Sequence, residues 1–203
     1  MSGKEGEIMR KIIYLSVSLL LLMTSISGKS DCVNSKVDNI SDKPNSTKSK
    51  SSGICTLLKQ HPAWLQAVQD TEKKWGVPAE VQLAIIKTES NFDANAKNSQ
   101  STATGFAQVL NKSWEAYLDA NNKHDSRNDF HAAIDYIGWY ADQVRRYADI
   151  NPTNAYKLYL AYHEGIGGYH HLANHPKPEV FKIAQNVKQT AEMYAQQMVS
   201  CAA

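Results

Sequence analysis

The sequence lacks several features that mark common classes of protein. It has no basic stripe: 22 lysine and arginine residues stand against 20 aspartate and glutamate residues, and from Ile54 onward the count is 14 basic against 15 acidic. This argues against nucleic acid as a partner, because nucleic-acid-binding domains carry clustered positive charge. Runs of alternating apolar and polar residues, which are typical of strands, are absent, and so is any internal repeat. These absences favour an all-α fold.

The sequence also lacks an apolar run of comfortable membrane-spanning length. The run from Ile12 to Met23 falls short of the roughly 20 apolar residues that a bilayer crossing needs. Arg10 and Lys11 precede it, and small residues follow it as far as Gly28. This pattern predicts a secretory signal peptide over residues 1–28, with an uncleaved membrane anchor as the alternative. Export to the periplasm follows from this prediction.

Aromatic residues are absent from residues 29–53, which are rich in serine, lysine, asparagine and aspartate. Such a segment buries too little apolar surface to offset the entropy of ordering it, so we interpret it as a flexible tether. The composition changes abruptly at Ile54. We therefore predict one folded domain over residues 54–203, which we expect to be monomeric.

Cysteine is scarce, with three residues in the chain: Cys32, Cys55 and Cys201. Thiols tend to pair in the oxidising compartments to which an exported protein is sent. Cys55 and Cys201 lie at the two ends of the folded region, which suggests a disulfide between its termini. Cys32 would then be available for lipidation and anchoring to the outer membrane. The preceding residues 29–31 match the bacterial lipoprotein pattern poorly, so lipidated and unmodified states both remain open.

From Ile54 onward the sequence has helical patterns with recognisable start and stop signals. Pro62 is typical of a first helical turn and Gly76 of a helix end, while Ser113 and Asp129 are candidate N-caps and Gly165 is a candidate stop. The predicted helices cover residues 62–75, 78–90, about 113–118, 129–144, about 153–164 and about 179–200.

Glu89 is the leading candidate for a catalytic residue. It follows Val81 and Ile85 at four-residue intervals, so the apolar face of its helix would carry the carboxyl group into the interior. Burial raises the pKa of a carboxyl group, and a protonated carboxylic acid near neutral pH can donate a proton to a leaving oxygen. The alternative is a glutamate at the helix end that turns towards solvent.

Three segments stand out as motifs: residues 84–92, residues 105–109, and residues 161–165 with a glycine-rich turn at 167–169. They resemble, in the same order, the Glu-Ser, Gly-Leu-Met-Gln-Ile and Ala-Tyr-Asn-Ala-Gly motifs of lytic transglycosylases, glycoside hydrolase family 23. The resemblance covers roughly residues 54–201. It implies an all-α, lysozyme-like helical domain that acts on peptidoglycan glycan strands.

The resemblance also implies roles for individual residues. Glu89 would act as acid and then base, and Ser90 would hydrogen-bond near the reacting sugar. Gln108 and the backbone around Phe106 would line the glycan groove, and Tyr162 would lie beside the catalytic carboxyl group. The implied reaction cleaves the β-1,4 bond between N-acetylmuramic acid and N-acetylglucosamine and leaves 1,6-anhydromuramic ends.

The third motif departs from the family pattern at two positions. His163 stands where the family has an asparagine that contacts substrate, and Glu164 replaces an alanine. The Tyr-His-Glu-Gly sequence resembles a subgroup of transglycosylase-like domains in which cysteines also recur at both domain ends. The departure leaves open two other functions: a hydrolytic muramidase, in which Glu164 or Asp93 positions water, and a non-catalytic glycan-binding component of an envelope or secretion machine.

We predict neither a metal nor another cofactor. The histidines of the third motif and the residues after it do not match a zinc signature, because Gly167 occupies the place of the second histidine in H-E-x-x-H. We interpret these side chains as polar loop histidines: His163, His170, His171 and His175.

Overall fold

A computed structural model describes residues 53–201 of the chain. The predicted signal peptide, nearly all of the predicted tether and Cys32 lie outside the described residues. Within this range the chain forms seven helices: α1 Gly53–Gln60, α2 Pro62–Trp75, α3 Ala79–Ser90, α4 Asn111–Asn121, α5 Phe130–Ala148, α6 Ala155–His171 and α7 Pro178–Cys201. No β-strand is present among the described residues, and the fold is all-α, as predicted.

Helix α3 is the buried centre of the domain. It packs against α2, α5 and α7, and its residues from Val81 to Ile86 are all buried. A helix that is enclosed on every side carries apolar residues around its whole circumference. Helix α5 packs against α2, α3, α4 and α6, and α6 packs in turn on α7. The C-terminal end of α3 reaches a space that is lined by α5, α6, the start of α4 and the loop before it.

Several predicted helix signals are confirmed. Pro62 is the first residue of α2, and Gly76 ends that helix with a φ of 73° and an N–H bond of 2.8 Å to the Glu72 carbonyl. Only glycine adopts this left-handed conformation without a steric cost. The carboxylate of Asp129 caps α5, accepting a bond of 2.8 Å from the Ala132 amide.

Other predictions about the helices were wrong. Helix α1 was not predicted at all, because its sequence was too short for a clear period. Ser113 lies inside α4 and caps nothing; the residue before the first turn is Leu110, which has no capping side chain. The predicted stop at Gly165, by contrast, is confirmed: its φ of 75° and ψ of 160° are non-helical, so the first helical segment of α6 ends there, and a second segment runs on to His171 after the kink.

A buried carboxylate joins three helices away from the cleft. Asp135 of α5 accepts bonds from Trp75 Nε1 at 2.7 Å, Lys74 Nζ at 2.9 Å, Tyr117 Oη at 2.8 Å and Lys123 Nζ at 2.7 Å. Burial alone would raise the pKa of Asp135, but these four donors together hold its pKa well below the ordinary range. Asp135 is therefore a charged anchor between α2, α4 and α5.

The ends of the described region lie together. Cys55 in α1 and Cys201 at the end of α7 are joined by a disulfide, with their Cα atoms 5.5 Å apart. The amide of Ile54 also donates to Gln197 Oε1 at 3.4 Å, so α1 and α7 are held by both a covalent and a polar contact. Among residues 53–201, none of the helices has the length and apolar character needed to cross a membrane.

Candidate active site

A cleft of about 450 Å³ opens at the end of α3. Its walls come from the loop before α4, the start of α4, one face of α5 and the kinked part of α6. Thirteen residues line it: Glu89, Asn98, Ala103, Gln108, Val109, Leu110, Ser113, Tyr136, Tyr140, Tyr162, His163, Glu164 and Gly165. The cleft thus brings together parts of all three segments that resemble the transglycosylase motifs.

Glu89 lies in the last turn of α3, where the helix passes from the core into the cleft. The helix ends at Asn91, whose φ of 53° is left-handed and whose amide bonds to the Lys87 carbonyl at 3.1 Å. Burial raises the pKa of Glu89 to about 7, while a hydrogen bond with Tyr159 acts in the opposite direction. Glu89 is therefore divided between its acid and carboxylate forms near neutral pH, as a group that must both donate and remove a proton requires.

Tyr159 is the residue that the sequence reasoning missed at this site. It lies in α6 with only 2% of its surface exposed, and its hydroxyl bonds to the Glu89 carboxyl group. Burial and the adjacent Glu89 raise the pKa of Tyr159 far above its ordinary value. Tyr159 therefore stays protonated and acts as a hydrogen-bond donor to the carboxylate. It precedes Tyr162 by three residues on the same helix face, which is the one signal that could have identified it.

Tyr162 lines the cleft near Glu89, but its hydroxyl is used elsewhere. It donates a hydrogen bond of 2.7 Å to the carbonyl of Ala107, in the loop that carries the second motif. Its ring meets that of Tyr140 edge to face at 5.5 Å. Tyr162 thus ties α6 to this loop and forms part of the cleft wall.

The hydroxyl of Tyr140 stabilises the kink in α6. Tyr140 of α5 donates to the Ala161 carbonyl at 3.0 Å and accepts a bond from the Ile166 amide, on the other side of Gly165. The left-handed glycine would otherwise leave that amide without its usual helical partner. Tyr140 thereby sets the position of the residues at the kink, which line the cleft.

The loop of the second motif is held by its own polar groups. Gln108 lines the cleft with a φ of 47°, and its Nε2 donates to the carbonyls of Ala96 and Gly105, each at 3.0 Å. Gly105 has a φ of 77°, and a Cβ there would lie 2.1 Å from the Arg127 carbonyl oxygen. Only glycine fits this close approach. Gln108 therefore shapes the wall of the cleft as well as facing into it.

Two residues implied by the resemblance do not line the cleft. Phe106 is 5% exposed and packs edge to face on Trp64 at 5.5 Å and Phe130 at 5.3 Å, so its side chain belongs to the core. Ser90 directs its hydroxyl to the carbonyl of Ile86 at 3.3 Å, back along its own helix. The neighbours of Phe106 in sequence, including Gln108, do reach the cleft.

Glu164 forms a charged cluster at the edge of the cleft. Its Oε2 accepts a bond of 2.6 Å from Lys177 Nζ, and its Oε1 lies 3.1 Å from His163 Nδ1. The hydrogen bond from Lys177 holds the pKa of Glu164 below its ordinary value, so the carboxylate is ionised. Lys177 also offsets the unfavourable position of a carboxylate at the end of a helical segment.

The second candidate for a water-positioning carboxylate lies outside the cleft lining. Asp93 is exposed, and its Oδ1 accepts a bond of 2.8 Å from the amide of Asn95 in its own turn. Within residues 53–201, no group of three histidine, cysteine, aspartate or glutamate side chains is arranged to hold a metal ion.

Comparison with known proteins agrees with this geometry. The sequence matches the transglycosylase SLT domain family over residues 17–201, and the chain belongs to this family. No curated protein matches it significantly. Among solved structures it is similar to an inactive mutant of the lytic transglycosylase Slt from Pseudomonas aeruginosa, with a TM-score of 0.55 and 18% identity.

That likeness covers 68% of this chain and 24% of the Pseudomonas protein, so the chain spans about a quarter of the length of that relative. At this level of identity the likeness shows the fold, which is the lysozyme-like helical fold of lytic transglycosylases.

Proposed function

We propose that the protein is a lytic transglycosylase that cleaves the β-1,4 bond between N-acetylmuramic acid and N-acetylglucosamine in peptidoglycan. The observation that carries the proposal is the half-buried Glu89, whose pKa is raised to about 7 at the base of a polar cleft. A carboxyl group with this pKa can donate and then accept a proton near neutral pH.

The reaction needs one carboxyl group used twice. Protonated Glu89 gives its proton to the glycosidic oxygen as the bond from C1 of N-acetylmuramic acid to that oxygen breaks. The N-acetyl group of the same sugar stabilises the anomeric centre. The Glu89 carboxylate then removes the proton from the 6-hydroxyl as its oxygen bonds to C1. A 1,6-anhydro ring forms, the acid is restored, and water is not consumed.

The surroundings of the two other carboxylates support the use of a single carboxyl group. Ordinary glycosidases employ a pair, one as acid and the other as nucleophile or base. Here Glu164 is held by Lys177 and His163, and Asp93 is exposed outside the cleft lining. Neither is placed as an unengaged base for a water molecule. We therefore favour transglycosylation over hydrolysis, and catalysis over glycan binding alone.

We further propose that the protein is exported to the periplasm, where its substrate lies. The proposal rests on the signal-like sequence before residue 29. Cell fractionation with N-terminal sequencing tests it. A soluble form that begins near Gly28 or Lys29 indicates ordinary cleavage, and a membrane-bound form that Cys32→Ala releases indicates lipidation. Cytoplasmic protein that retains its first residues would contradict export.

Release of soluble fragments from purified peptidoglycan tests the role of Glu89. We expect Glu89→Gln to fold normally and to lose at least about 10²-fold in turnover, because glutamine cannot donate the proton. Glu115→Gln is the matched control, since Glu115 is exposed on α4 away from the cleft lining. A folded Glu89→Gln variant with more than about a tenth of wild-type turnover would remove Glu89 from the mechanism.

A further inference from the structure

The cluster at the edge of the cleft has a definite hydrogen-bond direction. Glu164 is ionised and therefore offers only acceptors. The contact of 3.1 Å between His163 Nδ1 and Glu164 Oε1 is consequently an N–H bond donated by the imidazole. A neutral histidine that carries its proton on Nδ1 presents Nε2 as a hydrogen-bond acceptor.

Lys177 fixes the orientation of Glu164. Its ammonium group holds Oε2 at 2.6 Å, while the other carboxylate oxygen faces His163, so the carboxylate plane is set from two sides. The Glu164 side chain is 10% exposed, and Gly168 packs against it: a Cβ at Gly168 would lie 3.1 Å from Glu164 Cβ. The carboxylate therefore has little freedom to turn away from the imidazole.

The imidazole is also accessible from the cleft. His163 lines the cleft, its side chain is 40% exposed, and its ring lies 6.0 Å from that of Tyr159, the residue bonded to Glu89. Within residues 53–201 no group forms a hydrogen bond with His163 Nε2. When the imidazole is neutral, an acceptor with a fixed orientation is thus left open beside the carboxyl group that we propose as the catalytic acid.

We infer that Glu164 and Lys177 are positioning residues: they hold neutral His163 in the tautomer that carries its proton on Nδ1, so that Nε2 can accept a hydrogen bond from a hydroxyl or amide N–H of the sugar. The identity of the ligand rests on the proposed function. The tautomer does not, because it follows from the cluster alone. An amide side chain at this position would offer both a donor and an acceptor, whereas the fixed imidazole offers only an acceptor.

The tautomer can be measured without substrate. Nitrogen-15 NMR of the imidazoles at alkaline pH, where they are neutral, distinguishes a protonated Nδ1 from a protonated Nε2; loss of one signal set in His163→Asn assigns the residue. We expect His163 to carry its proton on Nδ1 in the wild type and to move towards the other tautomer in Glu164→Ala. His131, which is exposed on α5 and has no carboxylate partner in the described structure, should not change. A wild-type His163 protonated on Nε2 would overturn the inference.

Steady-state kinetics on soluble peptidoglycan glycan oligomers test the contact. We expect Glu164→Ala to raise KM about fivefold to tenfold with little change in kcat, since one hydrogen bond to a neutral group is weakened. The same substitution in a His163→Asn background should change KM by less than about twofold, because an amide oxygen needs no tautomer to be selected. Equal effects in both backgrounds would show a purely structural role and overturn the inference.

A second variant guards against misfolding of Glu164→Ala. Lys177→Met keeps the carboxylate but frees its orientation, so we expect a KM change in the same direction and of smaller size. No change in either KM or the imidazole spectrum of Lys177→Met would exclude Lys177 as a positioning residue. If the wild type cleaves no glycan oligomer, the proposed function fails, while the NMR result still decides the tautomer.

Discussion

The hydroxyl of Tyr159 bonds to the carboxyl group of Glu89, joining the middle of α6 to the end of α3. Two opposing effects set the pKa of Glu89. Burial raises the pKa of Glu89, and the hydrogen bond stabilises its carboxylate form and limits the rise. The balance leaves the pKa near 7, where one carboxyl group can serve both proton-transfer steps.

Removing the Tyr159 hydroxyl should move the alkaline limit of activity upwards. Since the proposed mechanism needs protonated Glu89 for its first step, kcat/KM should fall as pH rises through about 7. Tyr159→Phe removes the group that lowers this pKa, so the alkaline limb of the pH–rate profile should move to higher pH. Tyr156→Phe is the control, because Tyr156 lies in α6 outside the cleft lining. If the alkaline limb stayed unchanged or moved to lower pH, Tyr159 would not be a group that lowers the pKa of Glu89.

Glu89 should also make the protein less stable at alkaline pH. Its pKa is about 7 in the folded protein and near 4.5 when unfolded, so between these values the unfolded chain loses a proton that the folded chain retains. The free energy of unfolding therefore falls as pH rises through this window.

Glutamine cannot ionise and escapes this penalty. Glu89→Gln should be more stable than the wild type at pH 8 by up to about 3 kcal/mol, and nearly equal to it at pH 4. Denaturant titrations at the two pH values measure the difference. If Glu89→Gln were less stable than the wild type by the same amount at pH 8 and at pH 4, folding would not raise the pKa of Glu89.

Asp135 should stabilise the folded protein at neutral pH and should lose this effect as the pH falls, which is the reverse of the pH dependence expected from Glu89. Asp135→Asn should lower the free energy of unfolding at pH 7 by about 2 to 3 kcal/mol, because two lysines lose their counter-charge; the half-exposed Lys74 and partly exposed Lys123 limit the cost. The pKa of Asp135 is lowered on folding, so its contribution is present above about pH 4 and is lost as pH falls further.

Asp119→Asn is the control for this variant, because Asp119 is exposed on α4. Urea titrations at pH 7 and pH 3 should show a large difference between the two variants at pH 7 and a smaller one at pH 3, where the unfolded chain already binds the proton while folded Asp135 is still ionised. A difference that does not depend on pH would argue against an ionised anchor.

The disulfide between α1 and α7 should stabilise the domain substantially. It closes a loop of 146 residues, for which chain entropy gives on the order of 5 kcal/mol as an upper value. We expect Cys55→Ser and Cys201→Ser each to lower the Tm, and a reductant to lower the wild-type Tm but not that of either variant. Non-reducing peptide mapping identifies the pairing. A peptide that links Cys32 to either residue would contradict it.

The sequence was most informative where one local rule decides a conformation. Gly76 ends α2 and Asp129 caps α5 because a left-handed turn and an N-cap each depend on a single residue type. The four-residue spacing of Val81, Ile85 and Glu89 is also a local pattern, and it predicted that Glu89 lies on the apolar face of its helix. The glycine rule also held at Gly165, whose non-helical φ and ψ separate the two segments of α6; the second segment was not predicted, and the hydroxyl of Tyr140 contacts the backbone on both sides of the kink.

Contacts between distant parts of the chain could not be predicted in this way. Tyr159 contacts Glu89 on another helix, and Lys177 contacts Glu164, which lies before the kink in α6. Nothing in the sequence around either residue marks it as functional. Phe106 and Ser90 show the converse. Both lie within motif-like segments, but packing directs one side chain into the core and the other towards its own helix. A motif locates the cleft, and the tertiary contacts decide which of its residues face the substrate.

The mass of the fragments released from purified peptidoglycan tests the central claim most directly. In transglycosylation the 6-hydroxyl oxygen of the same sugar loses its proton and bonds to C1 as the glycosidic bond breaks, so each new end should be a 1,6-anhydromuramic residue, lighter by one water than a hydrolysed end. We expect these ends from the wild type and from Glu115→Gln, and none from Glu89→Gln. Wild-type digests that contain only hydrated reducing ends would contradict transglycosylation and identify the enzyme as a muramidase.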